Sequence, residues 1–183
     1  MIPNKLKYGD EIRVIAPSSS LSRVRKDIYD KALAYLESQG FKITFSKNSR
    51  EMNEFKSSEI KSRVEDIHGA FRDNNVKMII TCIDGFNVNQ ILPYLDYELI
   101  KENPKILCGY SDITALLHAI YAKTGLVTYH GPHFCTFGFD KEAEYTQACF
   151  YDCVMRDEVI SVLPSKTAEE YYVIQEGSEI CVR

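Results

Sequence analysis

The stretch Lys105-Ile-Leu-Cys-Gly-Tyr-Ser-Asp-Ile-Thr-Ala-Leu-Leu-His118 decides how this chain folds. Its apolar run, residues 106–108, predicts a buried strand that Gly109 ends, and Ser111-Asp112 then begins a helix predicted to reach about Thr124. A serine at a sharp turn between a strand and a helix is the position at which the α/β-hydrolase fold holds a nucleophile. The pattern lacks the second glycine of the full motif, and serine is also a common helix N-cap, so both interpretations of Ser111 stay open here.

Strand-like and helix-like segments alternate along the rest of the chain. Strands are predicted at 11–16, 41–45, 77–82, 106–108 and 127–130, and helices at 23–39, 59–74, 112–124 and 141–156. Shorter helical pieces are predicted at 89–92 and 97–102, and short edge or connecting strands at 159–163 and 171–174. This alternation predicts an α/β fold, with a mostly parallel sheet and helices on both faces in a flavodoxin-like or Rossmann-like three-layer arrangement.

Composition restricts the classes of partner and the cellular setting. The formal net charge of −4 and the absence of a basic stripe argue against nucleic acid. No apolar run approaches the length of a membrane span, and the N-terminus lacks a signal-type region, so we expect no membrane partner and a cytoplasmic location. Six cysteines without a CxxC pair suit a reducing compartment and predict no metal site. We expect one α/β domain over residues 1–165, with 166–183 beginning a linker.

The carboxyl ends of parallel strands share one rim of the sheet, where ligands bind. Three loops, 17–22, 82–87 and 109–112, are predicted to meet there. The amide of Asp112 follows Ser111 directly and could donate to an oxyanion, and Gly85 or Phe86 could supply a second amide. An ordinary turn is the alternative role for Gly85. The side chains expected to contact a substrate at this rim are Ser18, Asp84, Asn87, Tyr110, His130 and His133.

A serine nucleophile also needs a base, and the four histidines do not supply an obvious one. His118 lies two helical turns after Ser111, roughly 10 Å along the axis, which exceeds hydrogen-bond reach. His68 is placed at the edge of an apolar stripe. His130 and His133 follow the fifth predicted strand and are either site residues or satisfied loop histidines. No complete Ser–His–acid set can be assembled from these residues.

Taken together, four stretches resemble the LD-carboxypeptidase and microcin-immunity family of serine peptidases. They are Gly9-Asp-Glu-Ile-Arg-Val-Ile-Ala-Pro-Ser-Ser19, Asn89-Gln-Ile-Leu-Pro-Tyr-Leu-Asp96, Pro104-Lys-Ile-Leu-Cys-Gly-Tyr-Ser-Asp-Ile-Thr-Ala-Leu116 and Gly125-Leu-Val-Thr-Tyr-His-Gly-Pro-His133. Their order and spacing follow the family over most of residues 6–140. The Gly-Tyr-Ser-Asp stretch is the most specific, and the Gly-Pro-His-Phe continuation is more similar to the microcin-immunity branch.

The resemblance implies that Ser111 is the nucleophile and that the oxyanion hole uses the Asp112 amide and an amide of the Gly85–Phe86 loop. It implies hydrolysis near the C-terminus of small peptides, either at an L,D bond in murein fragments or at the linkage of a peptidyl nucleotide antibiotic. It also implies a cytosolic homodimer with no metal or organic cofactor. The loop Ile83-Asp-Gly-Phe86 departs from the family, which usually has two adjacent glycines there.

The resemblance places the other two triad members, a Glu and a His, in a second, C-terminal domain. The sequence ends at Arg183, about where that domain would begin, and the turn Gln175-Glu-Gly-Ser178 is similar to the family's entry into it. We therefore expect the N-terminal half of a two-domain peptidase, with little or no activity of its own. The alternatives are a non-catalytic α/β module that binds a peptide or small anion at the same rim, and a doubly wound nucleotide binder. The absence of a glycine-rich turn after the first strand disfavours the nucleotide binder.

Overall fold

A five-stranded parallel sheet forms the centre of the computed structural model, which describes residues 1–139 and 143–161. The strands are β1 (Glu11–Ile15), β2 (Lys42–Phe45), β3 (Val76–Thr81), β4 (Ile106–Gly109) and β5 (Tyr129–His130). Their order across the sheet is β2-β1-β3-β4-β5, and each neighbouring pair is parallel. This order is the flavodoxin-like one, and it confirms the predicted α/β class.

Helices cover both faces of the sheet. They are α1 (Lys26–Ser38), α2 (Ile60–Arg72), α3 (Tyr97–Glu102), α4 (Ile113–Thr124) and α5 (Ala143–Met155), with 3₁₀ segments at Leu21–Arg23, Val88–Tyr94 and Phe134–Gly138. Helices α1 and α5 pack on one face, and α2, α3 and α4 pack on the other. The three-layer arrangement predicted from the alternation is therefore present.

Successive strand residues supply the two halves of the core. Ile12, Val14 and Ile80 point toward the face that α1 covers, whereas Ile15 and Ile79 point toward the face that α2 and α4 cover. All five side chains are fully buried. Because a parallel sheet with helices on both sides leaves neither face wet, its strands read as continuous apolar runs, which is why they were recognisable in the sequence.

Element boundaries differ from the predictions in several places. Helix α1 begins at Lys26 rather than at 23, because residues 21–23 form a 3₁₀ turn capped by the Ser20 hydroxyl. Strand β5 has two residues rather than four. Residues 159–161 belong to no strand, which corrects the first half of the strand predicted at 159–163. The rest of that prediction, the one at 171–174 and the segment 166–183 lie outside the described residues. Over the part of the chain that the structure describes, no helix combines the length and apolar character of a membrane span.

Glu11 is the acceptor at the centre of a cluster of charged and polar side chains. It is buried at the start of β1, where its carboxylate accepts hydrogen bonds from Arg13 (2.7 Å), Lys42 (2.7 Å) and Thr44 (2.7 Å). Burial acts to raise the pKa of Glu11, but the three hydrogen bonds together outweigh it and lower the pKa to about 2.

We expect Glu11 to make folding acid-sensitive. Because its pKa is depressed in the folded state, its contribution of about 2–3 kcal/mol is present above the unfolded pKa near 4.5 and is lost as the pH falls toward 2. Urea unfolding of the chain and of Glu11→Gln across that pH range measures this. The variant should be less stable at neutral pH and should show a flatter pH dependence; equal slopes would contradict the assignment.

Candidate active site

Ser111 occupies a strained bend between β4 and α4. Its φ is +61°, in the left-handed region that non-glycine residues rarely adopt, and its side chain is exposed. Such a conformation is unfavourable by about 1–3 kcal/mol and is concentrated at functional sites. The Ser111 hydroxyl makes no hydrogen bond with any described residue, and Asp112 rather than Ser111 occupies the N-cap position of α4. The N-cap interpretation of Ser111 is therefore wrong, and the bend presents a bare hydroxyl.

The bend requires close packing just before Ser111. A Cβ on Gly109 would lie 2.4 Å from Thr81 Oγ1 and 2.9 Å from the Ile113 side chain. Both distances are shorter than real contacts allow, so β4 can approach β3 and α4 this closely only with glycine at this position. Gly109 thus fixes where Ser111 emerges from the sheet.

The Asp112 carboxylate ties the three rim loops together. Its Oδ1 accepts a hydrogen bond from the Gly85 amide (2.8 Å), and its Oδ2 accepts from the Ser18 hydroxyl (2.6 Å) and the Val88 amide (3.3 Å). These partners come from the loops after β1 and β3. We call Asp112 with Ser18, Gly85 and Val88 the rim clamp. Bonds to an ionised acceptor are stronger than neutral ones, so the clamp holds the loops in one arrangement.

The rim clamp distinguishes the two amides considered for the oxyanion hole. The Gly85 amide is occupied by Asp112, whereas the Phe86 amide has no acceptor among the described residues. The clamp also explains why position 85 is a glycine, since a Cβ there would lie 2.1 Å from Ser18 Oγ. The loop must pass against Ser18 for its amide to reach Asp112.

A buried arginine supports the clamp from below. Arg63 of α2 is 2% exposed and donates to the Pro17 carbonyl (3.2 Å), to Asn87 Oδ1 (3.2 Å) and to Gln90 Oε1 (2.8 Å). Asn87 Oδ1 in turn lies 3.0 Å from Ser18 Oγ. Burial lowers the pKa of Arg63, while Glu59 and Asp112 act to raise it.

Arg63 was not among the site residues predicted from the sequence. The available signal was its place at helical spacing within the apolar stripe of α2, three residues after Ile60 and four before Ile67. A charged residue on a buried helix face has to find acceptors for its donors inside the protein, here the carbonyl and amide oxygens of the rim loops.

Tyr110 lies next to Ser111 on an aromatic support. Its ring stacks on His133 with centroids 4.2 Å apart, and His133 Nδ1 is joined to Thr81 Oγ1 by a 2.6 Å hydrogen bond. Burial lowers the pKa of His133 to about 4, although Asp84 and Asp112 act to raise it. His133 is therefore a neutral packing partner at neutral pH.

The six side chains expected to contact a substrate fall into two groups. Tyr110 and His130 are exposed at the rim, and Asp84 is half-buried there. Ser18, Asn87 and His133 are buried and bonded within the network below, which corrects their assignment as direct contacts. Buried polar groups satisfy one another, so a polar residue in a rim loop does not always face the solvent.

The histidines considered as the base also differ in their distance from the rim. His68 Nε2 accepts a hydrogen bond from the Asp96 amide, away from the rim. His130 is paired with Gly109 across β4 and β5, and its ring lies 6.3 Å from that of Tyr110. None of the four histidines hydrogen-bonds to Ser111 among the described residues. Cys108, three residues before Ser111, is buried, and burial raises the pKa of its thiol, so this cysteine is not a candidate nucleophile. The described residues hold no cluster of metal-binding side chains.

Comparison with known proteins agrees with this geometry. Residues 12–131 match the family model described as the LD-carboxypeptidase N-terminal domain. "Putative carboxypeptidase YocD" of Bacillus subtilis (strain 168) is 49% identical over 97% of this chain and 55% of its own length. The Microcin C7 self-immunity protein MccF of Escherichia coli is 38% identical over 69% of this chain and 37% of its own length.

Solved structures of MccF and of an MccF-like protein are also similar to this chain. The crystal structure of an MccF-like protein from Bacillus anthracis str. Ames has a TM-score of 0.84 at 57% identity, covering 85% of this chain and 47% of that one. MccF in complex with aspartyl sulfamoyl adenosine has a TM-score of 0.81 at 33% identity, covering 87% and 48%. The chain thus spans about half the length of the relatives it matches. With this fold, this bend and these matches, the chain belongs to the LD-carboxypeptidase family.

Proposed function

We propose that this chain is the nucleophile-bearing domain of a serine carboxypeptidase. The single observation that carries the proposal is the exposed Ser111 hydroxyl, presented from a left-handed bend at the start of α4 without a hydrogen bond to any described residue. Ser111 Oγ attacks the carbonyl carbon of the bond to be cleaved, and the carbonyl oxygen becomes an oxyanion. The amides of Asp112 and Phe86 receive this oxygen, and the positive end of α4 adds favourable potential.

The proton of Ser111 has to move to a base as the bond forms. We propose that the base and its orienting carboxylate are the His and Glu that the resemblance places in a second domain. Whatever turnover the chain has alone is therefore expected to be small, because an oriented base contributes orders of magnitude to acyl transfer. If a base exists within residues 1–183, His130 is the candidate, since its strand pairs with the one that leads to Ser111.

The proposed substrate is a small peptide or peptidyl nucleotide cleaved near its C-terminus. Relatives of both substrate classes match this chain: MccF is 38% identical over 69% of it, and a "Probable murein peptide carboxypeptidase" of Bacillus subtilis (strain 168) is 37% identical over 81% of it. The homodimer and the cytoplasmic location remain predictions, as does the domain limit near 165.

Labelling by a fluorophosphonate probe tests the proposal. Because the base is proposed to lie outside this chain, we expect Ser111 to react slowly, but in preference to the other serines, since its hydroxyl is exposed and carries no hydrogen bond to a described residue. Ser111→Ala should lose the label. Peptide mapping by mass spectrometry locates the adduct. Hydrolysis of a murein tetrapeptide and of an aminoacyl sulfamoyl adenosine should be barely measurable. Robust turnover that Ser111→Ala and His130→Ala both abolish would contradict the proposed absence of a base.

The second candidate is a module that binds a peptide or anion at this rim without chemistry. The internal hydrogen bonds of Asp112 and Arg63 would suit a rigid binding surface equally well. That function predicts no adduct at Ser111 and only a modest change in affinity for Ser111→Ala, so the same labelling experiment separates the two.

A further inference from the structure

Lys105 is a buried lysine at the opposite end of the sheet from Ser111. It directly precedes β4 and is 7% exposed. Its ammonium makes no hydrogen bond or ion pair with any described residue. The aliphatic part of the side chain is buried, whereas the ammonium is not fully enclosed by protein and has no protein partner among the described residues.

The Lys105 side chain lines a cleft of about 930 Å³ at the amino-terminal ends of the strands. That volume is in the range of sites for small molecules. Pro3, Val76 and Pro104 are among its apolar lining residues. Six further charged residues line it: Lys5, Lys7, Asp10, Lys77, Glu102 and Asp157. With Lys105 the cleft has four lysines and three acids among the described residues, so it carries one excess positive charge.

None of the three acids that line the cleft forms an ion pair with Lys105 in the part of the chain that the structure describes, and other charged groups of the cleft have partners elsewhere. The ammonium groups of Lys5 and Lys77 donate to the carbonyls of Cys153 and Asn74, at 2.8 and 2.7 Å. Asp10 accepts the Lys7 amide at 2.7 Å. Burial and the neighbouring Lys77 both lower the pKa of Lys105, whereas Asp73 acts to raise it. A negatively charged group placed in the cleft would supply the partner that this ammonium lacks.

We propose that the cleft is a second site, which binds a small oxyanion, a phosphate or carboxylate group, through the Lys105 ammonium. Lys77 also lines the cleft and supplies further positive potential. The site is independent of Ser111 and its rim, and it would hold its ligand whether or not the chain hydrolyses peptides.

Ligand-dependent stability of the full chain tests this site. Inorganic phosphate, and citrate in a separate arm, are titrated at constant ionic strength while thermal unfolding and the heat of binding are followed. A ligand that binds the folded state raises the unfolding temperature in a saturable way. We expect Lys105→Met to raise the dissociation constant of the anion about tenfold or more, because the substitution removes a charged hydrogen-bond donor. Lys61→Met, an exposed lysine on α2, is the matched control and should bind like the unmodified chain.

The control separates binding from the general stabilisation that phosphate gives to most proteins, which all three chains would share. Saturable binding of either anion that is lost only in Lys105→Met supports the site, and the arm that binds identifies the ligand class. Equal stabilisation of all three chains, or no saturable binding, overturns it. If Lys105→Met does not fold, Lys105→Gln takes its place in the same comparison.

Discussion

Replacing Asp112 with alanine should disable the rim without unfolding the domain. The change leaves the Gly85 and Val88 amides and the Ser18 hydroxyl without their carboxylate acceptor. We expect a loss of about 3 kcal/mol in the free energy of unfolding, since hydrogen bonds to charged groups contribute about 1.5–3 kcal/mol each and solvent partly replaces them. The loop that carries the Phe86 amide is then released, and the rate of Ser111 labelling should fall by about 100-fold, as expected for reacting groups displaced by about 1 Å.

The asparagine variant, Asp112→Asn, distinguishes positioning from bulk stability. Its side-chain oxygen can still accept from the Gly85 amide, and its new NH₂ group can donate to the Ser18 oxygen, whose proton can turn to Asn87 Oδ1. Only the Val88 amide, whose bond to Asp112 is the longest at 3.3 Å, then loses its acceptor. The variant should therefore lose about 1 kcal/mol and label within about tenfold of the unmodified chain. Asp30→Asn is the matched control, because Asp30 pairs with Lys26 on the exposed face of α1. If the alanine variant labelled at the unmodified rate while folded, the clamp would have no role in presenting Ser111.

The strands of the sheet were predictable from the sequence, whereas the hydrogen bonds of the rim clamp were not. The strands were recognisable because burial on both faces demands apolar runs such as Met78 to Ile80. The rim loops were also predictable, since all strands are parallel and end at one edge. The rim clamp was not, because its bonds join Asp112 to Ser18 across 94 residues and to Gly85 across 27. No local pattern encodes such a pair.

The same limit explains the misplaced substrate contacts. Ser18 and Asn87 are polar residues in loops, which usually face water. Here Arg63 on α2 and Asp112 at the start of α4 place charged groups beneath the rim. The side chains of Asn87 and Ser18 point inward, where they hydrogen-bond to Arg63 and to Asp112, respectively. Which loop residues turn inward depends on how α2 and α4 pack against the sheet, and periodicity within either helix does not report this.

Replacing Ser111 with glycine should stabilise the chain while it removes the proposed chemistry. Glycine adopts a φ of +61° without steric strain, so relief of the left-handed bend should add about 1 kcal/mol to the free energy of unfolding, even after the greater entropy of the unfolded glycine is counted. The alanine variant keeps the strain and should match the unmodified stability. Neither variant has a hydroxyl at this position, so both should lose fluorophosphonate labelling completely.

Lys56 provides the matched control for this trade between stability and function. It is the other non-glycine residue with a positive φ among those described, at +62°, and it is exposed and distant in sequence from Ser111. Lys56→Gly should gain a similar free energy with no effect on labelling, because its strain belongs to an ordinary turn. Urea unfolding measures both gains. If Lys56→Gly is stabilised and Ser111→Gly is not, the bend at Ser111 holds no strain, and the physical basis for its exposed hydroxyl as a prepared nucleophile is lost.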